Sequence, residues 1–242
     1  MIKLENNEVS GWCAAVRGMR NPMNSWDKSD SDWVIVNEED HRGGLDAIWE
    51  YNVGENDLKL MKSLSKAGDD HGKFLRFITV TVDITAPLYW WKEFDTYKVG
   101  TVANSCSTMH KIADKEFELD DFSFDHLTEG SIDQVAKPLI SVLNGARDAY
   151  LNYEKYNTEA PDGWDKGITC KKDVWWQMIQ LLPSSYNQKR TVQFNYQVLK
   201  SMYFARRNHK LDEWNEFCEW CKTLPYFEEI CLSPHACCKA EE

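Results

Sequence analysis

Phe74-Leu75-Arg76-Phe77-Ile78-Thr79-Val80-Thr81-Val82-Asp83-Ile84, followed by Ala86-Pro87, is the stretch on which the fold turns. It is rich in aromatic and β-branched residues. In its second half it alternates, with Ile78, Val80, Val82 and Ile84 set against Thr79, Thr81 and Asp83. A period of two is that of a strand with one buried face. Proline suits the first turn of a helix, where its missing N–H costs little, so Pro87–Tyr97 reads as helical. Beyond it, Lys98–Lys111 is small and polar (Gly100, Ala103, Asn104, Ser105, Cys106, Ser107, Thr108) and reads as an ordered loop.

Upstream of that strand, residues 1–8 read as a short strand ended by Gly11, and 17–32 as a loop. Gly44–Tyr51 reads as a helix. A second helix runs from Asn56 through Leu58, Leu60, Met61, Leu64 and Ala67 to Gly68, its apolar residues three and four apart and Gly68 as C-cap. Downstream, Ile132–Tyr156 reads as one long helix with Val135, Leu139, Val142, Leu143, Ala146, Tyr150 and Tyr153 inward and Pro138 near its start. Helices at Lys172–Leu182, Asn195–Arg207 and Leu211–Thr223 and a strand at Gln188–Phe194 complete the reading. Long helices around a few strands make α+β the expected class. No linker or internal repeat divides the chain, so one domain over residues 1–242 is expected, with a Cys-rich tail at 218–242.

The 242 residues carry 39 acidic and 28 basic side chains, a formal charge of −11. Such a surface repels nucleic-acid polymers, while a local pocket for one small anion stays compatible with it. No apolar run approaches the roughly 20 residues of a membrane span. The first residues, Met-Ile-Lys-Leu-Glu-Asn-Asn-Glu, lack the apolar stretch of a secretory signal. Eight cysteines are too sparse for a disulfide scaffold. Reduced thiols and a cytoplasmic location are therefore expected. Eleven tryptophans suggest a core, or pockets, built from flat side chains. Of Trp90-Trp91 and Trp175-Trp176, one member of each pair should be buried and the other is available to a partner subunit or a ring-shaped ligand, with core packing the commoner case.

Cys218-x-x-Cys221 is followed by Cys231, His235, Cys237 and Cys238. Zinc takes four thiolate or imidazole ligands, and paired CxxC units are its usual sequence sign. The second pair here is not CxxC. Cys218 and Cys221 also share a helix face with Trp214, which reads as packing. No P-loop, dinucleotide-binding glycine fingerprint, HExxH or GxSxG is present.

Two blocks resemble the flavin-dependent thymidylate synthases, the thymidylate synthase complementing protein family. The first is the strand Phe77–Ile84, Ala86-Pro87, an aromatic helix and the polar loop. In the family this order leads into an Arg-His-Arg signature that continues with spaced Ser, Asn, Ser and Arg. The second is Leu182-Pro183, a strand, then Asn195-Tyr196-Gln197 and a helix ending in Arg206, where the family has Leu-Pro, a strand, Asn-Ala-Arg-Ser-Leu and a helix ending in Leu-Arg. His71 falls on the first His of the family's His-Glu-Thr-Pro-Phe-Glu-His strip. The departures are concentrated in the signature: Thr96, Tyr97 and Lys98 replace Arg-His-Arg, Thr101 replaces a Ser, and Met109 the last Arg. Asn104 and Ser107 sit one place late. Gln197 replaces the Arg of Asn-Ala-Arg, Ile179 the Arg before Leu-Pro, and Phe77 the last His of the strip.

The resemblance implies a small antiparallel sheet packed with long helices, and a homotetramer with sites at subunit interfaces. It implies one-carbon transfer from methylenetetrahydrofolate to C5 of deoxyuridine monophosphate (dUMP), with FAD as cofactor and NADPH as reductant. Arg206, Ser107 and Cys106 are then the catalytic candidates. His71, Lys98, Asn104 and Asn195 are candidates for the cofactor, and Arg206, Ser105 and Gln197 for the pyrimidine nucleotide. The residue types suit that chemistry. Guanidinium offers a fixed planar fork to a carbonyl or phosphate, and a carboxamide both donates and accepts. Plainer readings stand beside these. Arg206 and Arg207 also suit a solvated helix C-terminus, Asn195 a helix N-cap, and Cys106 simple packing. Lys98 also reads as a surface lysine and His71 as a turn residue. Two functions follow, an enzyme of this type, or a nucleotide-binding or sequestering protein on the same fold.

Overall fold

The computed structural model describes residues 1–36, 47–159 and 168–232. In chain order they form β1 (Lys3–Ser10), α1 (Trp12–Arg20), β2 (Asp32–Ile35), β3 (Trp49–Asn52), α2 (Glu55–Lys66), β4 (Thr79–Pro87), α3 (Leu88–Phe94) and β5 (Val102–Ser105). There follow a one-turn α4 (Glu129–Ser131), α5 (Lys137–Leu151), α6 (Tyr153–Glu159), α7 (Lys171–Leu181), β6 (Asn187–Asn195), α8 (Tyr196–Arg206) and α9 (Asp212–Thr223). The fold is α+β, with a small antiparallel sheet of strand order β1-β4-β6-β5. A second antiparallel ribbon pairs β2 with β3. None of the described helices is long and apolar enough to cross a membrane.

Along β4 the sequence alternation becomes structure: Val80, Val82, Ile84 and Ala86 are fully buried. The strand begins later than the quoted run. Phe74 and Leu75 are adjacent and both buried, which one inward strand face does not allow. They lie instead in a 3-10 turn, Gly72–Arg76, where side chains fall about a third of a turn apart.

The chain forms two compact units. The first comprises Met1–Lys3, Asp83–Thr96 and Asn104–Thr191. Its core gathers Ile112, Phe117, Phe122, Leu143 and Met178. The single helix expected over 132–156 is interrupted twice. A π-helical turn, Ile132–Ala136, precedes Pro138, which has no N–H to continue a regular ladder, and Asn152 separates α5 from α6. Val135 and Val142, expected inward, are 63% and 54% exposed. Trp90 and Trp91 are both buried, the core-packing reading of that pair. Trp91 is covered because its Nε1 donates to the Gln188 carbonyl and the Arg190 guanidinium lies 4.1 Å from its ring centre.

The second unit comprises Leu4–Val82, Tyr97–Ala103 and Val192–Glu242. Met61, Leu75, Ile78, Leu199, Met202, Trp214 and Phe217 are wholly buried in it. Its two largest departures from expectation lie early in the chain. Part of the expected loop 17–32 is helix, because Trp12, Ala15, Val16 and Met19 recur at helical spacing and are all buried in α1. The expected helix at Gly44–Tyr51 ends as strand β3, with residues 44–46 outside the described residues. Trp49 and Tyr51 lie opposite Ile35 and Trp33, and such cross-strand aromatic and β-branched pairs stabilise a ribbon.

One buried ion pair pins this region. Asp57 has no exposed surface and accepts from Arg20 Nε at 2.6 Å, Ser29 Oγ at 2.6 Å and Ser31 Oγ at 2.7 Å. Arg20 in turn donates to the carbonyls of Ser25 and Lys28. Asp30 accepts from the first N–H groups of α2, those of Asn56 and Asp57. Gly54 allows that approach, since a Cβ there would fall 2.3 Å from the Asp30 carboxyl carbon.

Candidate functional site

Strand β6 hands over to α8 at Asn195. The Tyr196 N–H donates to the Ile78 carbonyl at 3.0 Å, and Asn195 Oδ1 accepts from the Val198 N–H at 3.0 Å. Asn195 is thus the N-cap of α8, satisfying one of its unpaired donors. Its amide nitrogen faces the 97–101 turn. Gly100 there has φ +79°, and a Cβ on it would meet Val198 Cγ2 at 3.0 Å and Asn195 Nδ2 at 3.3 Å. Only glycine fits both the backbone angle and the gap.

At the other end of α8, Arg206 folds back onto the same turn. Its Nε donates to the Tyr97 hydroxyl at 2.9 Å. Its guanidinium carbon lies 4.8 Å from the Trp214 ring centre and 5.5 Å from that of Tyr97. The two rings meet edge to face at 6.1 Å. A cation against aromatic faces is attracted to the ring quadrupole, and more so once partly desolvated. Arg206 is half-buried, unlike its neighbour Arg207, which is exposed with its guanidinium near Phe204. The reading of the pair as two solvated cations therefore holds for Arg207 alone. Thr101 Oγ1 donates to the Tyr97 carbonyl and closes the turn.

Gln197 is the second residue of α8. Its Nε2 donates to Asp69 Oδ1 at 3.0 Å, while its Oε1 is buried without a hydrogen-bond partner among the described residues. Buried acceptors are rarely left so. Lys200, one turn further on, is buried with its Nζ on the carbonyl and hydroxyl of Ser65. His71 and Lys98 are both exposed, and no described contact draws either side chain to Arg206.

The remaining candidates belong to the first unit. Asn104 and Ser105 are exposed on β5. Cys106 is exposed, its N–H donating to the Lys189 carbonyl and its own carbonyl accepting from Gln188 Nε2. Among the described residues no carboxylate or imidazole is hydrogen-bonded to its thiol. Ser107 Oγ accepts from the His110 N–H, as a turn-closing hydroxyl does.

The tail cysteines behave as packing where they are described. Cys218, Cys221 and Cys231 are buried. Burial pushes the Cys218 thiol up to about 11 and that of Cys231 to about 12, and holds Cys221 well above its ordinary value. Among the described residues no three His, Cys, Asp or Glu side chains are placed to hold a metal. His235, Cys237 and Cys238 lie outside the described residues.

The partners of Arg206 are not foreseen from sequence. Tyr97 stands there only as a departure from a signature, and Trp214 only as a packing residue. The signal available is the aromatic character of both.

No protein-family model matches the chain, and no curated protein matches its sequence. Solved structures do share its fold. One is the flavin-dependent thymidylate synthase ThyX from Helicobacter pylori complexed with FAD and dUMP. It is 15% identical with a TM-score of 0.61, over 95% of this chain and 97% of that one. A second structure of Helicobacter pylori ThyX with FAD and dUMP is 14% identical with a TM-score of 0.61, over 96% and 97%. At such identity the likeness is one of fold.

Proposed function

We propose that this chain is a thymidylate synthase-like protein that binds a uracil deoxyribonucleotide, with Arg206 as its fixed planar cation. The observation that carries the reading is the Arg206–Tyr97–Trp214 cluster, which holds a guanidinium half-buried at the end of α8. A cation restrained in this way presents its fork to a carbonyl or phosphate with little further loss of freedom. A fold shared over nearly the full length of ThyX supports the reading.

The flavin needs its own test of fit. FAD brings two linked phosphates, and between residues 96 and 108 Lys98 is the one cationic side chain. Arg206 serves the nucleotide in this reading, which leaves Lys98 for the flavin. Each charge-assisted hydrogen bond to a phosphate contributes roughly 1.5–3 kcal/mol. Lys98 alone does not make a diphosphate clamp of the 96–108 segment.

Two readings share the binding step. In the first, the chain methylates C5 of dUMP with methylenetetrahydrofolate, FAD and NADPH, and works as a homotetramer; the extent of the shared fold favours it. In the second, it holds or sequesters the nucleotide without turnover; the thin phosphate clamp favours that. The absorbance spectrum of the purified protein and tritium release from dUMP labelled at C5 separate them. Flavin absorbance with tritium release supports the enzyme. Saturable dUMP binding with neither supports the binder. No dUMP binding removes both.

A further inference from the structure

Residues 207–211 join α8 to α9, and α9 starts on Leu211, whose side chain has no atom to accept a hydrogen bond. The N–H of Leu211 is itself satisfied from two residues back, donating to His209 Nδ1 at 3.2 Å. Asn and Asp side chains commonly accept from the backbone two residues on, and His209 takes their place in this turn. The main chain of His209 is tied to both helices. Its N–H donates to the Arg206 carbonyl at 2.9 Å, and its carbonyl accepts from Asn215 Nδ2 at 3.4 Å.

The imidazole also has an aromatic neighbour. It meets Trp214 edge to face, with 6.3 Å between centres and 69° between planes. Trp214 has no exposed surface. Phe217 at 5.6 Å and 85°, and Tyr97 at 6.1 Å and 66°, meet the same indole edge to face. The Arg206 guanidinium lies against it too, 4.8 Å from the ring centre. His209 therefore reaches Arg206 by two routes, through the Arg206 carbonyl and through the indole that packs on its side chain.

This pair of contacts selects histidine. Asparagine would accept the Leu211 N–H and offer no ring. Phenylalanine would offer the ring and no acceptor. Histidine places a nitrogen acceptor beside Cγ within an aromatic ring. A backbone N–H can only donate, so Nδ1 is the acceptor and the neutral imidazole carries its proton on Nε2. One hydrogen bond thus fixes both the tautomer and the ring orientation, as supporting partners lock the side chains around a binding residue.

We propose that His209 is a positioning residue of the Arg206 site. Held by Leu211, its ring braces Trp214, and Trp214 keeps the guanidinium aimed at the nucleotide. The inference rests on the nucleotide reading above. It makes two roles of one side chain separable, since stability follows the acceptor and affinity follows the ring.

Two variants of the full chain test this, with dUMP affinity read by calorimetry and stability by thermal melting. His209→Asn keeps the turn and loses the ring. It melts within about 1 °C of the wild type and binds dUMP about five-fold more weakly. His209→Phe keeps the ring and loses the acceptor. It melts about 2–4 °C lower and binds within about two-fold of the wild type. A merely structural turn gives the opposite order, with His209→Asn binding like the wild type and His209→Phe more weakly. That order overturns the proposal, as does affinity that falls in step with melting temperature in both variants. Should His209→Phe not fold, His209→Asn alone decides. A wild type that does not bind dUMP removes the nucleotide reading and this inference with it. A wild type that binds, matched by His209→Asn, removes the inference alone.

Discussion

Arg206 differs from a surface arginine because two aromatic side chains and a hydroxyl fix it. That makes its contribution separable. Arg206→Ala should weaken dUMP binding by about ten- to a hundred-fold, the equivalent of one charge-assisted contact. Its fold should survive, which circular dichroism checks. Tyr97→Phe keeps the ring and deletes the hydroxyl that Arg206 Nε donates to. It should cost about five-fold in dUMP affinity, because the fork is then less restrained. Gly100→Ala tests the turn itself. A Cβ at φ +79° and 3.0 Å from Val198 should lower stability by about 1–2 kcal/mol, read from urea unfolding. A midpoint unchanged within error would mean that the turn does not bear on α8.

At the scale of elements, the ion pair under the β2–β3 ribbon makes a pH prediction. Burial alone would raise the Asp57 pKa. Hydrogen bonds from Ser29, Ser31 and Arg20, with the charge of Arg20, outweigh it and hold the carboxyl below its ordinary value. A carboxylate depressed on folding contributes stability that is present above its unfolded pKa of about 3.9 and is lost as pH falls through the folded value. Melting temperature should therefore fall below about pH 4, and less steeply in Asp57→Asn. That variant should itself be less stable by about 3–5 kcal/mol at neutral pH, since Arg20 is left buried without its counter-charge.

The same elements show what sequence can carry. α2, α7, β6, α8 and α9 are legible within a residue or two at each end, because apolar residues recur in each at its own period, whereas β4 is legible in its alternating part alone. α1 is hidden by the polar residues that follow it, although Trp12, Ala15, Val16 and Met19 already spell a helical face. β3 is not legible because four residues are too few to show a period, and its partner β2 lies across a long connection. The candidate site is legible in Arg206 and Asn195. It is not legible in Tyr97 or Gly100, whose roles depend on contacts distant in sequence.

Across the whole molecule, the extent of the shared fold makes assembly testable. Val135 and Val142 are exposed and seven residues apart, on the π-turn and α5, a spacing that returns to one helical face. Apolar residues so placed suit a helix of a second copy. If the chain works as the homotetramer proposed for the enzyme reading, light scattering returns four times the 28.2 kDa chain mass. Val142→Glu should reduce that mass while leaving helix content intact, because the side chain already faces out. A monomer at micromolar concentration would contradict the tetramer.

Whether Arg206 grips a pyrimidine nucleotide is decided by isothermal titration calorimetry of dUMP against the wild-type chain and Arg206→Ala. One saturable site per chain is expected in the wild type, with at least about ten-fold weaker binding in the variant. Equal affinity in the two proteins, or no heat from the wild type, would contradict it.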